Sequence, residues 1–273
     1  MTQPTRSQPI LITQLKHMLP QLQTAIQAFD RGARIYRGLA YSDAPYLHKP
    51  QMQFGQRTSA NTENYYTLVV DHDPAWSDYP PRSSSIIAST RLHVARGYGT
   101  PYVVLPEHDP QIGICSRSDY WVSFPRVTTL TGHTDLSDLN TIIRNMARKY
   151  AATTRFVPPD YRYFTQVLEI IDEQMAAQNP DWSQLLNSNE YWLEYIAKFM
   201  TQTPHGPMLE RLQWLLNPEA NGFAHAHLSV LQPLEHSREI WMHAPIYMIA
   251  VDQLPSDWLD NRKFNLEEWI LQQ

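Results

Sequence analysis

The segment ARIYRGLAY, Ala33 to Tyr41, alternates apolar and polar positions as a strand with one buried face does. Arg37 sits in its middle, with Gly38 directly after. A guanidinium is always charged and offers a planar fork of donors suited to phosphate; taken alone, an arginine in a strand marks an edge or an ion pair at least as well. His225 and His227, in HAH, fall on one face of a strand, a spacing seen in metal sites. The sequence shows no Asp, Glu or Cys partner for them, and no metal is expected. HDPAW and EHDP bring His and Asp together, but Asp-Pro is chiefly a turn signal. Cys115 is the single cysteine, which excludes an internal disulfide framework, and with no histidine at a recognisable spacing it reads as a buried thiol. The Gly97–Gly99 stretch, GYG, lacks the spacing of a dinucleotide-binding fingerprint.

The elements that must position these groups can be read in outline. Leu11, Leu15, Met18, Leu22, Ala25 and Phe29 recur at helical spacing, with Pro20 either kinking that helix or starting a second one and Gly32 placed to end it. NYYTLVV, Asn64 to Val70, reads as a strand, as do SSSIIAST, PYVVLPEHD and PQIGICS, with a helical turn or two in RLHVARGYG. From about 134 to 216 the pattern changes to helices, with stripes at Leu136, Leu139, Ile143, Met146 and Tyr150, at Phe164, Val167, Leu168 and Ile171, and at Trp192, Tyr195, Ile196 and Phe199. GFAHAHLSVL and REIWMHAPIYMIAV return to strand character, and a small helix closes the chain. Residues 1–273 are therefore expected to form a single α+β domain carrying a helical insertion at 134–216.

The 273 residues suffice for a sizeable core without staples. A net charge of −5 and a pI near 6.1 argue against non-specific nucleic-acid binding through a basic face. The opening residues lack the basic region, apolar run and cleavage site of a secretory signal, and no run approaches the roughly 20 apolar residues of a membrane span. A cytoplasmic protein, or one carried by a virion into a host cytoplasm, is expected, with no membrane partner.

Three pieces resemble, in order and character, the ADP-ribosyltransferases of the arginine-serine-glutamate, cholera-toxin-like type. IYRG is similar to that family's first core strand, whose Arg contacts the dinucleotide. SSSIIASTRLHVARGYGTPYVVLP looks like its hydroxyl-bearing strand end, a short helix with small and aromatic positions (here Ala95 and Tyr98) and a strand ending in Pro. HSREIWMHAPIYMIAV resembles its glutamate, apolar pair and proline-bearing turn. The resemblance spans under half the chain. It implies a split β-sandwich, two bent and mostly antiparallel sheets around an NAD cleft, and a mono-ADP-ribosyltransferase that consumes NAD as a substrate. The fission of the nicotinamide–ribose bond passes through a cationic, oxocarbenium-like state, as in glycoside cleavage. Glu239 would stabilise that cation, Arg37 would grip the dinucleotide with Gly38 allowing close approach, and Ser89 and Thr90 would line the ribose. Ser85, at an even offset from Ser89, would share its strand face.

The sequence departs from the family in three places. Family members that modify arginine carry a second Glu two residues before the catalytic one; this chain has Ser237 there, and Glu235 is the nearest substitute for engaging an acceptor. The hydroxyl motif reads Ala88-Ser89-Thr90 where the family favours Ser-Thr-Ser. The helical section lies between Thr90 and Glu239, where it would cover the cleft, recognise the target or extend the core. The acceptor, a protein side chain or a nucleic-acid base, is left open. A non-catalytic interaction or structural protein on the same fold, and an NAD glycohydrolase, are the rival readings.

Overall fold

In the computed structural model, residues 7–40, 42–53, 65–132, 136–153, 156–187, 190–259, 261 and 264–273 are described. The elements run β1 (Gln8–Pro9), α1 (Ile12–His17), α2 (Leu19–Asp30), β2 (Tyr36–Leu39), β3 (Tyr46–Lys49), α3 (Tyr65–His72), β4 (Ile86–Ser89), α4 (Leu92–Arg96), β5 (Thr100–Pro106) and β6 (Gln111–Ile114). The described α-helices that follow are α5 (Pro125–Thr131), α6 (Ser137–Tyr150), α7 (Tyr161–Gln178), α8 (Trp182–Leu185), α9 (Tyr191–Gln202) and α10 (Met208–Leu216). The chain then returns through β7 (Ala224–His227), β8 (Glu239–Met242) and β9 (Ile246–Ala250) to α11 (Leu266–Gln272). The chain is thus α+β, and it divides into two compact units: Met1–Arg57 with Asp78–Asp119 and Ala224–Gln273, and Thr58–Ser77 with Tyr120–Phe223. The helical part is therefore wider than the expected 134–216, drawing in residues from before β4 as well.

The first unit carries all the described strands, in the order β1-β3-β9-β5-β2-β4-β8-β6-β7, every described pairing being antiparallel. Where two bent sheets were expected, hydrogen bonding forms one continuous sheet. Its weak point lies between β2 and β4. Strand β2 pairs with β5 at four positions, but with β4 only through Tyr36 and Ser89. Beyond that pair the two strands part, so the sheet is continuous in connectivity yet split at one seam. β5 and β9 form its interior: consecutive residues are buried along each, which requires cover on both faces because neighbouring side chains point to opposite sides.

Helix α2 buries Leu22, Ala25, Ile26 and Phe29 at three- and four-residue spacing into the same core cluster as Val103, Leu105 and Ile249. Pro20 begins this second helix, in the first turn where its missing N–H leaves no bond unmade. The chain leaves it through Gly32 at φ +93°, the left-handed conformation glycine adopts without strain.

In the second unit, NYYTLVV is not a strand: its described residues open α3, with Tyr65, Tyr66, Thr67, Val69 and Val70 buried, while Asn64 lies outside the described residues. A short unbroken apolar run has no period that separates a buried strand from a buried helix. Here packing decides, since Tyr65 stacks on Phe156 and Phe164 and its hydroxyl donates to the Phe156 carbonyl at 2.6 Å. The stripes read from α6, α7 and α9 do face inward: Leu139, Ile143 and Met146, Phe164 and Ile171, and Ile196 and Phe199 are all buried. No described helix is long and apolar enough to cross a membrane.

Candidate functional site

The seam between β2 and β4 opens into a pocket of about 250 Å³ lined by Arg37, Gly38, Ile87, Ser89, Tyr98 and Glu239, with Tyr36, Ala88, Val94, Ala95, Ser118 and Asp119 completing the wall. That volume is close to the lower end of the roughly 300–1,000 Å³ of small-molecule sites. All of these residues belong to the first unit. The three separated segments singled out in the sequence therefore meet at one place.

The sheet register explains the meeting. Ser89 stands opposite Tyr36 on one side and Glu239 on the other, so the last residue of β4 and the first of β8 flank the seam. Where the next ladder bonds between β2 and β4 would fall, the Arg37 guanidinium instead donates through Nη1 to the Ile87 carbonyl. Arg37 thus lines the pocket and also clips its two walls together. Helix α4 closes one side: a Cβ at Gly38 would lie 2.0 Å from the Ala95 carbonyl oxygen and 2.8 Å from Tyr98 Cβ. Gly38 is needed for this helix to approach the strand, a requirement that exists without any ligand. Tyr98 is 65 % exposed at the rim. Partial burial, and then the negative charges of Asp119 and Glu239, push its phenol pKa up, so it remains a neutral donor near both carboxylates.

Glu239 does not stand alone. Its Oε1 lies 2.5 Å from Nη2 of Arg82, and the two side chains are 15 % and 3 % exposed. Arg82 also lies over the Trp241 ring, 5.3 Å from its centre. No sequence signal identified Arg82: it follows PP in a stretch that reads as a turn, and burial of an arginine is uncommon. Asp119 and Ser118, in the loop after β6, were likewise missed, because loop residues carry no periodic signal.

The remaining expected site residues lie elsewhere. Ser85 is fully buried and donates to the Pro81 carbonyl at 2.7 Å; it precedes β4, where the chain is leaving a 3-10 turn, and its hydroxyl is spent on that turn. Thr90 sits just past β4, where its Oγ1 accepts from the Arg238 N–H at 3.0 Å, extending the β4–β8 pairing instead of lining the pocket. Ser237 Oγ is buried and makes no hydrogen bond among the described residues, and the residue is outside the pocket wall. Glu235 is exposed and precedes the strand, so the regular alternation that would have brought it to the Glu239 face does not reach it; its carbonyl accepts from Arg91. Ser89 itself accepts from the Arg91 N–H at 3.1 Å. His225 contacts Gln111 and Tyr79, and His227 lies 4.0 Å from Asp109. Among the described residues no group of three His, Cys, Asp or Glu side chains is placed to hold a metal ion. Cys115 is buried.

No family model, no curated protein and no solved structure matches this chain.

Proposed function

We propose that the chain is a mono-ADP-ribosyltransferase built on a split-sheet, ADP-ribosyltransferase-like fold, using NAD as the donor and a macromolecule as the acceptor. The observation that supports this reading above any other is the convergence of Arg37, Ser89 and Glu239 on one seam pocket from strands far apart in sequence. The pocket would take the nicotinamide end of NAD, with Arg37 toward the phosphates and Ser89 and Glu239 beside the ribose. The bond between C1′ and the nicotinamide nitrogen breaks with its electron pair passing to the leaving pyridine. The ribose carbon carries positive charge until the acceptor's lone pair bonds to it and the acceptor's proton departs. A carboxylate at the seam stabilises that interval.

One observation favours a second reading, a non-catalytic protein on the same fold. The Arg82 guanidinium offsets the charge that Glu239 would present to a cation. Incubation with labelled NAD, with and without cell lysate, separates the readings. Label carried onto macromolecules supports the transferase, free ADP-ribose alone supports a glycohydrolase, and no turnover in either condition leaves the non-catalytic protein.

Arg37→Ala tests the binding role. Losing a hydrogen-bonded charge removes about 1.5–3 kcal/mol, so calorimetry should show NAD affinity falling by roughly 10- to 150-fold. Arg37→Lys, which keeps the charge without the fork, should recover part of it. Affinity unchanged in the alanine variant would remove Arg37 from the binding site and leave it only the Ile87 clip.

A further inference from the structure

We propose that Arg82 is a positioning residue that holds the Glu239 carboxylate in its working orientation at the seam; this rests on the transferase reading of the same pocket. Glu239 is the first residue of β8, and a glutamate side chain has several rotatable bonds to fix before its carboxylate points one way. Arg82 reaches it from a 3-10 turn, Arg82–Ser84, whose flanks are tied to β8 and the residue after it: Trp241 Nε1 donates to the Pro80 carbonyl at 2.8 Å, and His243 Nδ1 lies 2.9 Å from the Ser84 carbonyl oxygen. Glu239 and Trp241 alternate along β8 and so share one face, and His243 follows directly after the strand. The turn is therefore laid along that face, with the guanidinium over the Trp241 ring and its Nη2 on Glu239. Room for the indole comes from the next strand: a Cβ at Gly113, which pairs with Trp241, would lie 2.2 Å from the ring.

Stability alone does not account for the arrangement. Burying an arginine and a carboxylate costs solvation that their attraction often fails to repay, and a well-packed apolar pair can hold a fold as firmly. What an apolar pair cannot do is fix a charged carboxylate at a pocket wall. The planar guanidinium does this with direction as well as charge. The same contact that tempers the carboxylate's field sets where that field points.

The test compares wild type, Arg82→Lys, Arg82→Met, Glu239→Gln and the double variant R82M/E239Q in steady-state NAD consumption, with crystal structures of the two single Arg82 variants. Misplacing a reacting group by about 1 Å can cost on the order of 10²-fold. Arg82→Met is therefore expected to lower kcat by roughly 10- to 100-fold with KM nearly unchanged, and Arg82→Lys to recover part of that loss. R82M/E239Q should be no slower than Glu239→Gln alone, because both changes remove one device. A wild-type kcat in Arg82→Met, a loss confined to KM, or losses that multiply in the double variant would each overturn the proposal. The crystal structures judge it without turnover: Glu239 should keep its place in Arg82→Lys and leave it in Arg82→Met, and a carboxylate unmoved in the methionine variant overturns the positioning role. If the methionine variant does not fold, Arg82→Gln takes its place in every arm. A wild-type protein that consumes no NAD sinks the transferase reading, whereas a failed Arg82 comparison in an active protein sinks only this inference.

Discussion

Glu239→Gln is expected to lower NAD turnover by on the order of 10²-fold or more, the loss seen when a group that stabilises developing charge is removed from a reacting centre. The substitution keeps size and an acceptor oxygen, so the seam pocket should persist. It also leaves Arg82, 3 % exposed, facing a neutral amide. Removing one partner of a buried ion pair costs about 3–5 kcal/mol; the amide's remaining hydrogen bond places the expected loss toward the lower figure. Turnover must therefore be measured well below the variant's unfolding midpoint and normalised to folded protein. Wild-type turnover under those conditions would remove Glu239 from the chemistry, whatever the melting curve showed.

Gly38→Ala is the second large effect, and its sign discriminates between two uses of the glycine. The backbone at Gly38 is not in the left-handed region. A strand glycine of that kind is ordinarily improved by alanine, by about 0.5–1 kcal/mol, through a less flexible unfolded chain. Here the added methyl would meet the Ala95 carbonyl oxygen at 2.0 Å, and that atom belongs to the backbone of α4. A rigid neighbour cannot yield as a side-chain tip can, so the strand and helix must separate, costing about 1–3 kcal/mol or more. Denaturant unfolding should show the midpoint fall, and NAD affinity should fall with it because Val94, Ala95 and Tyr98 form one pocket wall. Gly97→Ala is the milder comparison: its Cβ meets the Val94 carbonyl oxygen at 3.3 Å, a contact that a shift of a few tenths of an ångström relieves, so its loss of stability should be much smaller than that of Gly38→Ala. If Gly38→Ala were as stable as wild type but bound NAD poorly, the glycine would serve the ligand and not the helix.

The strands of the site were legible one by one because each carries its own local signature, while their meeting was an expectation drawn from the family resemblance. Alternation made β2 a strand and so gave Arg37 a face; SSSIIAST and REIWMHAP did the same for Ser89 and Glu239. The stripes of α6, α7 and α9 were equally readable, since a helix that buries one side repeats every three or four residues. Legibility failed where no period exists. NYYTLVV has no clear period, and Tyr65 stacking against Phe156 and Phe164 favours a helix from Tyr65 onward. Ser85 kept the right parity with Ser89 but not the right strand: alternation predicts a face only while the ladder continues, and β4 begins one residue later. Glu235 failed for the same reason at the start of β8.

By itself, then, the sequence marked β2 and β4 to β9 as strands, though not β1 and β3, because side-chain alternation is a property of the local backbone. It also determined the α+β class and the helical character of the central section. Only the tertiary structure decided that β2 and β4 join through a single pair, that Gly38 answers to Ala95, and that Arg82 is buried against Glu239. Each of these depends on which distant segment is brought alongside, and the energy of such a contact belongs to the pair. No pattern along either partner alone encodes it.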